Sequence, residues 1–194
     1  LERMSEEENV PGAVLIEGQR GSGKKTLAKS LAAAILCKSR EKRPCGVCSS
    51  CKKAVTGHPD ILLENGGDKG VLSVDDIRRL RKEASVMPVE SSRKVMIITG
   101  SMAPPAQNAL LKTLEEPPAH VIFILATTEV HKLPATILSR CQRFDFRRIP
   151  TESIAGRLKF VAKNEGIDID DEAAVLISRI ADGGMRDALS LLDR

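Results

Sequence analysis

Short apolar runs alternate with longer amphipathic segments along most of the chain. The runs start at Ala13, Ile61, Val95 and Val121, and each holds three to five consecutive apolar residues. Runs of this kind are typical of strands buried on both faces of a parallel sheet. The alternation predicts an α/β fold, and we expect a short fifth strand at 143–146.

Helical periodicity fills the intervals between these runs. A first helix is predicted at 24–36, and a second should begin after Ser73. The Ser73 hydroxyl can cap that helix, with Asp76 three residues later as the reciprocal partner. A third helix is predicted at 106–114, because two prolines follow it closely.

The pattern changes near Ile149, after which the apolar spacing is helical to the last residue. We expect Thr151 to cap the first of three helices in a small lid domain. The predicted domains are therefore 1–148, an α/β domain, and 149–194, a helical lid. Because the final helix has no stop signal, we expect the chain to be part of a longer protein.

Residues 18–24, GQRGSGK, match the first seven positions of the phosphate-binding loop pattern and lie between a predicted strand and a predicted helix. Glycines let successive backbone N–H groups face one anion, and the helix N-terminus adds positive potential. The alternative is a glycine-rich turn that binds nothing. The candidate phosphate-binding residues are Gly18, Arg20, Gly21, Ser22, Gly23, Lys24, Lys25 and Thr26.

The residues that would hold Mg²⁺ beside such a loop are altered. The eighth position, normally Ser or Thr, is Lys25, and Thr26 faces about 100° away on the same helix. The predicted strand at 95–98 is followed by Thr99-Gly100-Ser101 rather than by a carboxylate. The sequence therefore predicts neither bound Mg²⁺ nor efficient hydrolysis, and it leaves binding of ATP or ADP open.

Four cysteines follow the first helix in a C-x7-C-x2-C-x2-C spacing: Cys37, Cys45, Cys48 and Cys51. Four thiolates close the tetrahedral shell of a zinc ion, which is typical of structural sites. The alternative is a group of free or redox-active cysteines. This spacing favours structural zinc.

Composition narrows the functions further. The 194 residues are 42% hydrophobic, with no Trp or Tyr and four Phe, so stacking of single-stranded bases on aromatic side chains is not expected. The net charge of +4 is too modest to indicate DNA binding by this chain unaided. No apolar run is long enough to span a membrane and no signal peptide is visible, so we expect a cytoplasmic protein.

Together with the loop and the cysteines, four further segments resemble the bacterial DNA polymerase III clamp-loader branch of the AAA+ ATPases. These segments are NALLKTLEEPP at 108–118, ATT at 126–128, LSRC at 138–141 and GMRDALS at 184–190. The resemblance covers almost the whole chain. It implies an AAA+ phosphate-loop domain with a five-stranded parallel sheet, a zinc insertion at 37–51 and a helical lid.

The resemblance also implies roles for particular residues. Arg140 resembles the arginine finger that enters a neighbouring subunit's ATP site, Thr127 the sensor-1 position, and Arg186 the sensor-2 arginine of the lid. The four cysteines match the family's zinc ligands. The implied partners are other clamp-loader subunits (gamma/tau and delta), the sliding clamp and, through the assembled complex, primer–template DNA. A C-terminal collar domain found in the family is not visible in this chain.

Two subunit types share these features. The altered metal-binding positions and the run at 57–60, Gly-His-Pro-Asp, favour a delta-prime-type subunit that does not hydrolyse ATP and supplies Arg140 to a neighbour. The intact loop and the block around Arg186 keep a gamma/tau-type ATPase motor open as the alternative. A stand-alone zinc-containing nucleic-acid-binding protein is a third hypothesis, which the low charge and low aromatic content disfavour.

Overall fold

The structure is a computed structural model that describes residues 10–39, 42–67 and 70–193. Its main sheet has five strands in the order β2-β4-β6-β1-β7, and a second sheet pairs β3 with β5. The strands are β1 Ala13–Gly18, β2 Ile61–Glu64, β3 Val71–Leu72, β4 Lys94–Thr99, β5 Ser101–Met102, β6 Val121–Thr127 and β7 Gln142–Phe146.

Eight α-helices are found in the described part of the chain, together with a 3₁₀ turn at Val130–Lys132. The helices are α1 Lys24–Ile35, α2 Ser49–Thr56, α3 Val74–Ala84, α4 Pro104–Glu115, α5 Ala135–Leu138, α6 Thr151–Glu165, α7 Asp171–Ile180 and α8 Met185–Leu192.

The central strands confirm the prediction made from the apolar runs. Every residue of β6 from Val121 to Ala126 is buried, as is every residue of β4 from Lys94 to Ile98. Consecutive burial means that both faces of the sheet are covered, which is the reason these strands read as continuous apolar runs. The parallel register places Glu17 opposite Thr127, so β1 and β6 end at one edge.

One helix start agrees with the prediction and another does not. Ser73 and Asp76 form the expected capping box at α3, with reciprocal side-chain-to-backbone hydrogen bonds. The expected cap at Thr151 is wrong, because Pro150 is the N-cap of α6 and makes no side-chain cap hydrogen bond. The Pro150 ring fixes φ at −57° in an extended conformation, so Thr151 is already the first helical residue.

The described residues form two compact units, the first comprising 10–17 and 25–144 and the second 18–24 and 145–193. The first unit has an aliphatic core that includes Leu15, Ile77, Leu110 and Phe123. None of the described helices has both the length and the apolar character that crossing a bilayer requires.

The second unit has a smaller core of its own. Ile154 and Leu158 of α6 pack with Ala181 and with Ala188 of α8. All four side chains are buried to at least nine-tenths. Three helices therefore share one apolar centre, as predicted for the C-terminal segment.

Candidate nucleotide-binding loop and zinc module

Lys24 is the buried cation of the candidate phosphate-binding loop. Its side-chain nitrogen donates to the Gly18 carbonyl at 2.8 Å, to the Gln19 carbonyl, and at 3.5 Å to the Ser22 hydroxyl. The Ser22 hydroxyl in turn donates to the Gln19 carbonyl at 2.8 Å. Burial lowers the pKa of Lys24, because removal from water disfavours the charged amine. A bound polyphosphate would oppose that effect.

Gly21 is the point at which the loop meets the lid helix α8. Its φ of +76° is one that side chains disfavour, and an added Cβ would lie 3.1 Å from Asp187 Oδ2 and 3.7 Å from Arg186 Cβ. The predicted sensor-2 residue Arg186 is therefore adjacent to the phosphate loop, within one compact unit. The neighbouring carboxylate of Asp187 was not expected from sequence.

The position directly after Lys24 offers no metal ligand of the usual kind. Arg20, Lys25 and Thr26 are all exposed, and Lys25 occupies the place of the metal-binding hydroxyl. An ammonium group has only donors, so Lys25 can pair with phosphate but cannot ligate Mg²⁺.

The end of β4 has no room for a carboxylate at Gly100. An added Cβ there would lie 2.7 Å from the Gly70 carbonyl oxygen and 3.1 Å from the Asn65 carbonyl oxygen, and φ is +116°. Ser101, the next residue, belongs to the small sheet, and its N–H donates to the Gly70 carbonyl at 3.0 Å. Motor ATPases place acidic residues after this strand, whereas here the strand ends in Thr99 and is followed by Gly100 and Ser101.

Two carboxylates do lie at the ends of other strands. Glu17 pairs with Arg143 at 2.6 Å, and Glu64 pairs with Arg79 at 3.0 Å. The second oxygen of Glu17 is buried and has no hydrogen-bond partner among the described residues. Thr127, the predicted sensor-1 residue, ends β6 and accepts a hydrogen bond from the Glu129 N–H at 3.0 Å.

Arg140, the predicted arginine finger, lies exposed just after α5. One terminal nitrogen donates to the Thr136 carbonyl at 2.7 Å, and the other pairs with Glu115 at 3.2 Å. The guanidinium is therefore held at the surface by two residues of its own subunit. Surface pairs of this strength exchange readily, so Arg140 can leave Glu115 for a stronger anion.

The four predicted zinc ligands converge. Cys37 and Cys48 sulfurs are 4.0 Å apart, Cys45 and Cys51 sulfurs are 3.9 Å apart, and all four lie within 4.8 Å of one another. Tetrahedral zinc with Zn–S bonds of about 2.3 Å requires sulfurs about 3.8 Å apart. The donor set and spacing fit a structural zinc ion, as predicted.

Backbone amides support the thiolate form of these cysteines. The N–H groups of Cys45, Cys48 and Cys51 donate to the sulfurs of Cys37, Cys45 and Cys48 respectively, each at 3.4 Å. Hydrogen bonds from the amides of Lys38 and Cys51 lower the pKa of Cys48 to about 6. Burial raises the pKa of Cys51 to about 12, a cost that a coordinated cation would offset.

Asp60 is a buried residue whose structural role was not predicted from the sequence. Its fully buried carboxylate accepts hydrogen bonds from the N–H groups of Val89, Glu90 and Ser91 at 2.6, 2.9 and 2.9 Å. Its own N–H donates to Nδ1 of His58 at 3.0 Å. Burial acts to raise the pKa of Asp60, but the three amides outweigh it and hold the pKa below its ordinary value.

The chain has a phosphate-loop α/β fold of the AAA+ type. Two solved structures from Thermotoga maritima have the same fold. A DNA polymerase III gamma subunit-related protein aligns with 99% of this chain and 56% of its own (TM-score 0.64, 22% identity). The RuvB Holliday junction branch migration motor aligns with 94% and 53% respectively (TM-score 0.63, 19% identity). These likenesses establish the fold.

Sequence comparison gives the family. The family described as "DNA polymerase III, delta subunit" matches residues 1–150, and the "DNA polymerase III clamp loader subunit, ATPase lid domain" matches residues 153–194. The chain belongs to the clamp-loader family of DNA polymerase III.

Curated relatives bear on the subunit type. DNA polymerase III subunit tau of Bacillus subtilis is 45% identical over 187 residues, covering 94% of this chain and 33% of that protein. Subunit tau of Escherichia coli is 40% identical over 185 residues, covering 94% and 29%. The chain thus spans about a third of the length of these relatives. Their names do not support the expected delta-prime preference, and they favour the gamma/tau alternative.

The relatives do not support the preference for delta-prime. It rested on the altered metal-binding positions Lys25 and Thr99–Ser101 and on the run at 57–60, and such local features can arise in any branch of a family. The similarity to tau extends over nearly the whole chain. It is therefore better evidence of common descent than a few altered positions are.

Proposed function

We propose that this chain is the ATPase-fold part of a gamma/tau-type clamp-loader subunit that binds ATP or ADP and hydrolyses ATP slowly for lack of metal-binding groups. The observation that supports this most directly is the contrast between two positions. Lys24 is buried among loop carbonyls and can bind phosphate, whereas the end of β4 carries Thr99, Gly100 and Ser101 and no carboxylate.

Backbone and side-chain groups of the loop would both contribute to phosphate binding. In this proposal the loop's backbone N–H groups, apart from that of Ser22, which donates to the Gln19 carbonyl, would bind the anion, and Lys24 and the adjacent Arg186 would neutralise its charge. We keep Thr127, which ends β6 and accepts a hydrogen bond from the Glu129 N–H, as the candidate sensor-1 residue. Exposed Arg20 can add a further contact to the phosphates.

The residues present do not fit Mg²⁺ in the usual way. Lys25 replaces the hydroxyl ligand, Gly100 excludes a side chain, and Glu64 is occupied by Arg79. Developing charge on the phosphates must then be neutralised by Lys24 and Arg186, which cannot replace the metal as oxygen-bridging ligands. Slow hydrolysis follows from this charge deficit.

The chain's contribution to the assembly would be Arg140. An arginine supplied in trans stabilises the charge that develops on the transferred phosphoryl group of a neighbour. Its pairing with Glu115 keeps it exposed and ready for exchange. The proposed partners are other clamp-loader subunits, the sliding clamp and primer–template DNA contacted through the complete complex.

The proposal predicts an unusual metal dependence for nucleotide binding. Purified protein should bind ATP about equally well with Mg²⁺ and with EDTA, because no side chain holds the ion. Lys24→Ala should weaken binding at least about tenfold, since it removes a charge-assisted contact. Equilibrium binding of fluorescent ATP measures both, and Lys29→Ala, an exposed lysine later in α1, serves as the control.

A hydrolysing motor is the second candidate, and the tau and gamma/tau names of the relatives favour it. It requires turnover of Mg-ATP by purified protein that Lys24→Ala abolishes. ATP binding that collapses in EDTA, with turnover that Lys24 controls, would contradict the slow-hydrolysis proposal and establish the motor.

Arg140→Ala is expected to leave the chain folded and to lower ATP turnover in a complex reconstituted with the other clamp-loader subunits. The deficit should equal the share of turnover performed by the neighbouring sites that lose this arginine. Glu115→Gln frees Arg140 from its ion pair and should preserve turnover. Equal turnover in wild-type and Arg140→Ala complexes would rule out the finger role.

A further inference from the structure

Gln19, the second residue of the phosphate loop, lies between Arg148 and the backbone of Asp182. With its amide oxygen facing Arg148, it accepts hydrogen bonds from Nε at 2.8 Å and from a terminal nitrogen at 2.7 Å. In the same orientation its amide nitrogen donates to the Asp182 carbonyl at 3.2 Å. This orientation is assigned because it gives both ends of the amide complementary partners.

Arg148 also holds the turn between α7 and α8 directly. Its guanidinium forms an ion pair with the Asp182 carboxylate. An added Cβ on Gly183 would lie 2.8 Å from Arg148 Cβ, and the Ile149 N–H donates to the Gly183 carbonyl at 3.4 Å. Asp182 and Gly183 have positive φ angles of +45° and +86°, so the turn is tight and its direction is fixed.

This turn determines where α8 begins. Gly184 is the N-cap of α8, and the first turn of the helix carries Arg186 and Asp187 against Gly21. A shift of the turn would therefore move Arg186 relative to the loop. The loop is thus connected to the position of Arg186 through three residues that are distant in sequence: Gln19, Arg148 and Asp182.

The loop end of this connection contacts the residues that would bind phosphate. The Gln19 carbonyl accepts hydrogen bonds from Lys24 Nζ and from the Ser22 hydroxyl, while its side chain is held by Arg148. A phosphate in the loop would compete for the Lys24 ammonium and so change the forces on the Gln19 backbone. Gln19 is the residue at which that change reaches Arg148.

We propose that Gln19, Arg148 and Asp182 form a latch that couples phosphate binding in the loop to the placement of Arg186. Gln19 and Arg148 are then positioning residues, because they act through Arg186 rather than on the nucleotide. The inference rests on the proposed function, since it requires nucleotide to bind at this loop. By linkage, breaking the latch must alter nucleotide affinity as well as lid placement.

A double-mutant cycle tests the latch in the purified protein. Gln19→Ala and Arg148→Ala should each weaken ATP binding by about tenfold, and the double variant should be no weaker than either single one. Arg147→Ala removes an exposed arginine beside the latch and controls for loss of positive charge.

Hydrogen exchange separates positioning from simple loss of contact. At saturating ATP the amides of 184–188 should become protected in wild type and in the control variant Arg147→Ala. In Gln19→Ala and Arg148→Ala they should stay unprotected even when the loop is filled, because the lid helix no longer follows the loop.

The outcomes distinguish the two proposals. If Lys24→Ala abolishes binding while the two latch variants act additively, or leave protection of α8 intact, the latch is refuted and the nucleotide site stands. If wild-type protein binds no ATP, both the nucleotide site and the latch are refuted. Non-additive losses together with lost protection support the latch.

Discussion

The purified protein is expected to contain one zinc ion, and its removal should unfold the segment from Cys45 to Thr56 while the five-stranded sheet stays folded. The reason is that α2 buries little apolar surface, since its only buried residues are Ser50 and Cys51. An eight-residue helix is not stable without tertiary support. Structural zinc supplies about 10 kcal/mol or more of binding free energy to small thiolate sites, which is ample to hold this segment.

Metal analysis and hydrogen exchange check the zinc prediction. Chelation should remove exchange protection from the amides of Cys45, Cys48 and Cys51, which donate to sulfurs in the structure, and leave β4 and β6 protected. Cys48→Ala should lose zinc, whereas Cys141→Ala, outside the cluster, should retain it. Zinc affinity should fall as the pH is lowered, because protons compete for the thiolates. Unchanged protection after chelation would show that zinc has no structural role.

Asp60→Asn is expected to destabilise the protein by about 3 kcal/mol. The substitution removes the charge that three amides share and turns an NH₂ group toward at least one of them, leaving a buried donor without an acceptor. The affected amides belong to Val89, Glu90 and Ser91, so the chain before β4 loses its anchor. Chemical denaturation measures the change. Asp75→Asn, on an exposed side chain, is the matched control and should have no measurable effect.

Asp60 also predicts a pH dependence with a definite sign. Because its folded-state pKa lies below the unfolded value near 3.8, its contribution to stability is complete above that value and is lost as pH falls through the folded pKa. The stability difference between wild type and Asp60→Asn should therefore be constant at neutral pH and shrink in strong acid. A difference that is the same at all pH values would exclude the carboxylate as its source.

Local signals in the chain were sufficient for the main sheet and for most helices. The strands were visible because each crosses a core covered on both sides, and the Ser73–Asp76 cap needs only residues three apart. The small sheet of β3 and β5 and the helix α2 were not predicted. Two-residue strands carry no periodicity, and α2 depends on the metal cluster rather than on an apolar face.

In the candidate site, too, some features were predictable from local sequence and others were not. The phosphate loop and the cysteine spacing were read from contiguous residues, and the structure brings the four sulfurs together as expected. The sequence also showed that a carboxylate is missing after β4. It could not show that Gly70 and Asn65 carbonyls would block a side chain at Gly100, since that depends on a loop thirty or more residues away.

By itself the sequence predicted the class of fold, the candidate phosphate loop and the cysteine cluster, because each depends on periodicity or spacing over a short stretch. Tertiary structure decided which distant groups meet: the Asp60 carboxylate with the amides before β4, and Gln19 with Arg148 and the turn at Asp182. Such contacts form between polar groups brought together by packing of the core. Their partners leave no pattern along the chain, so only the folded arrangement reveals them.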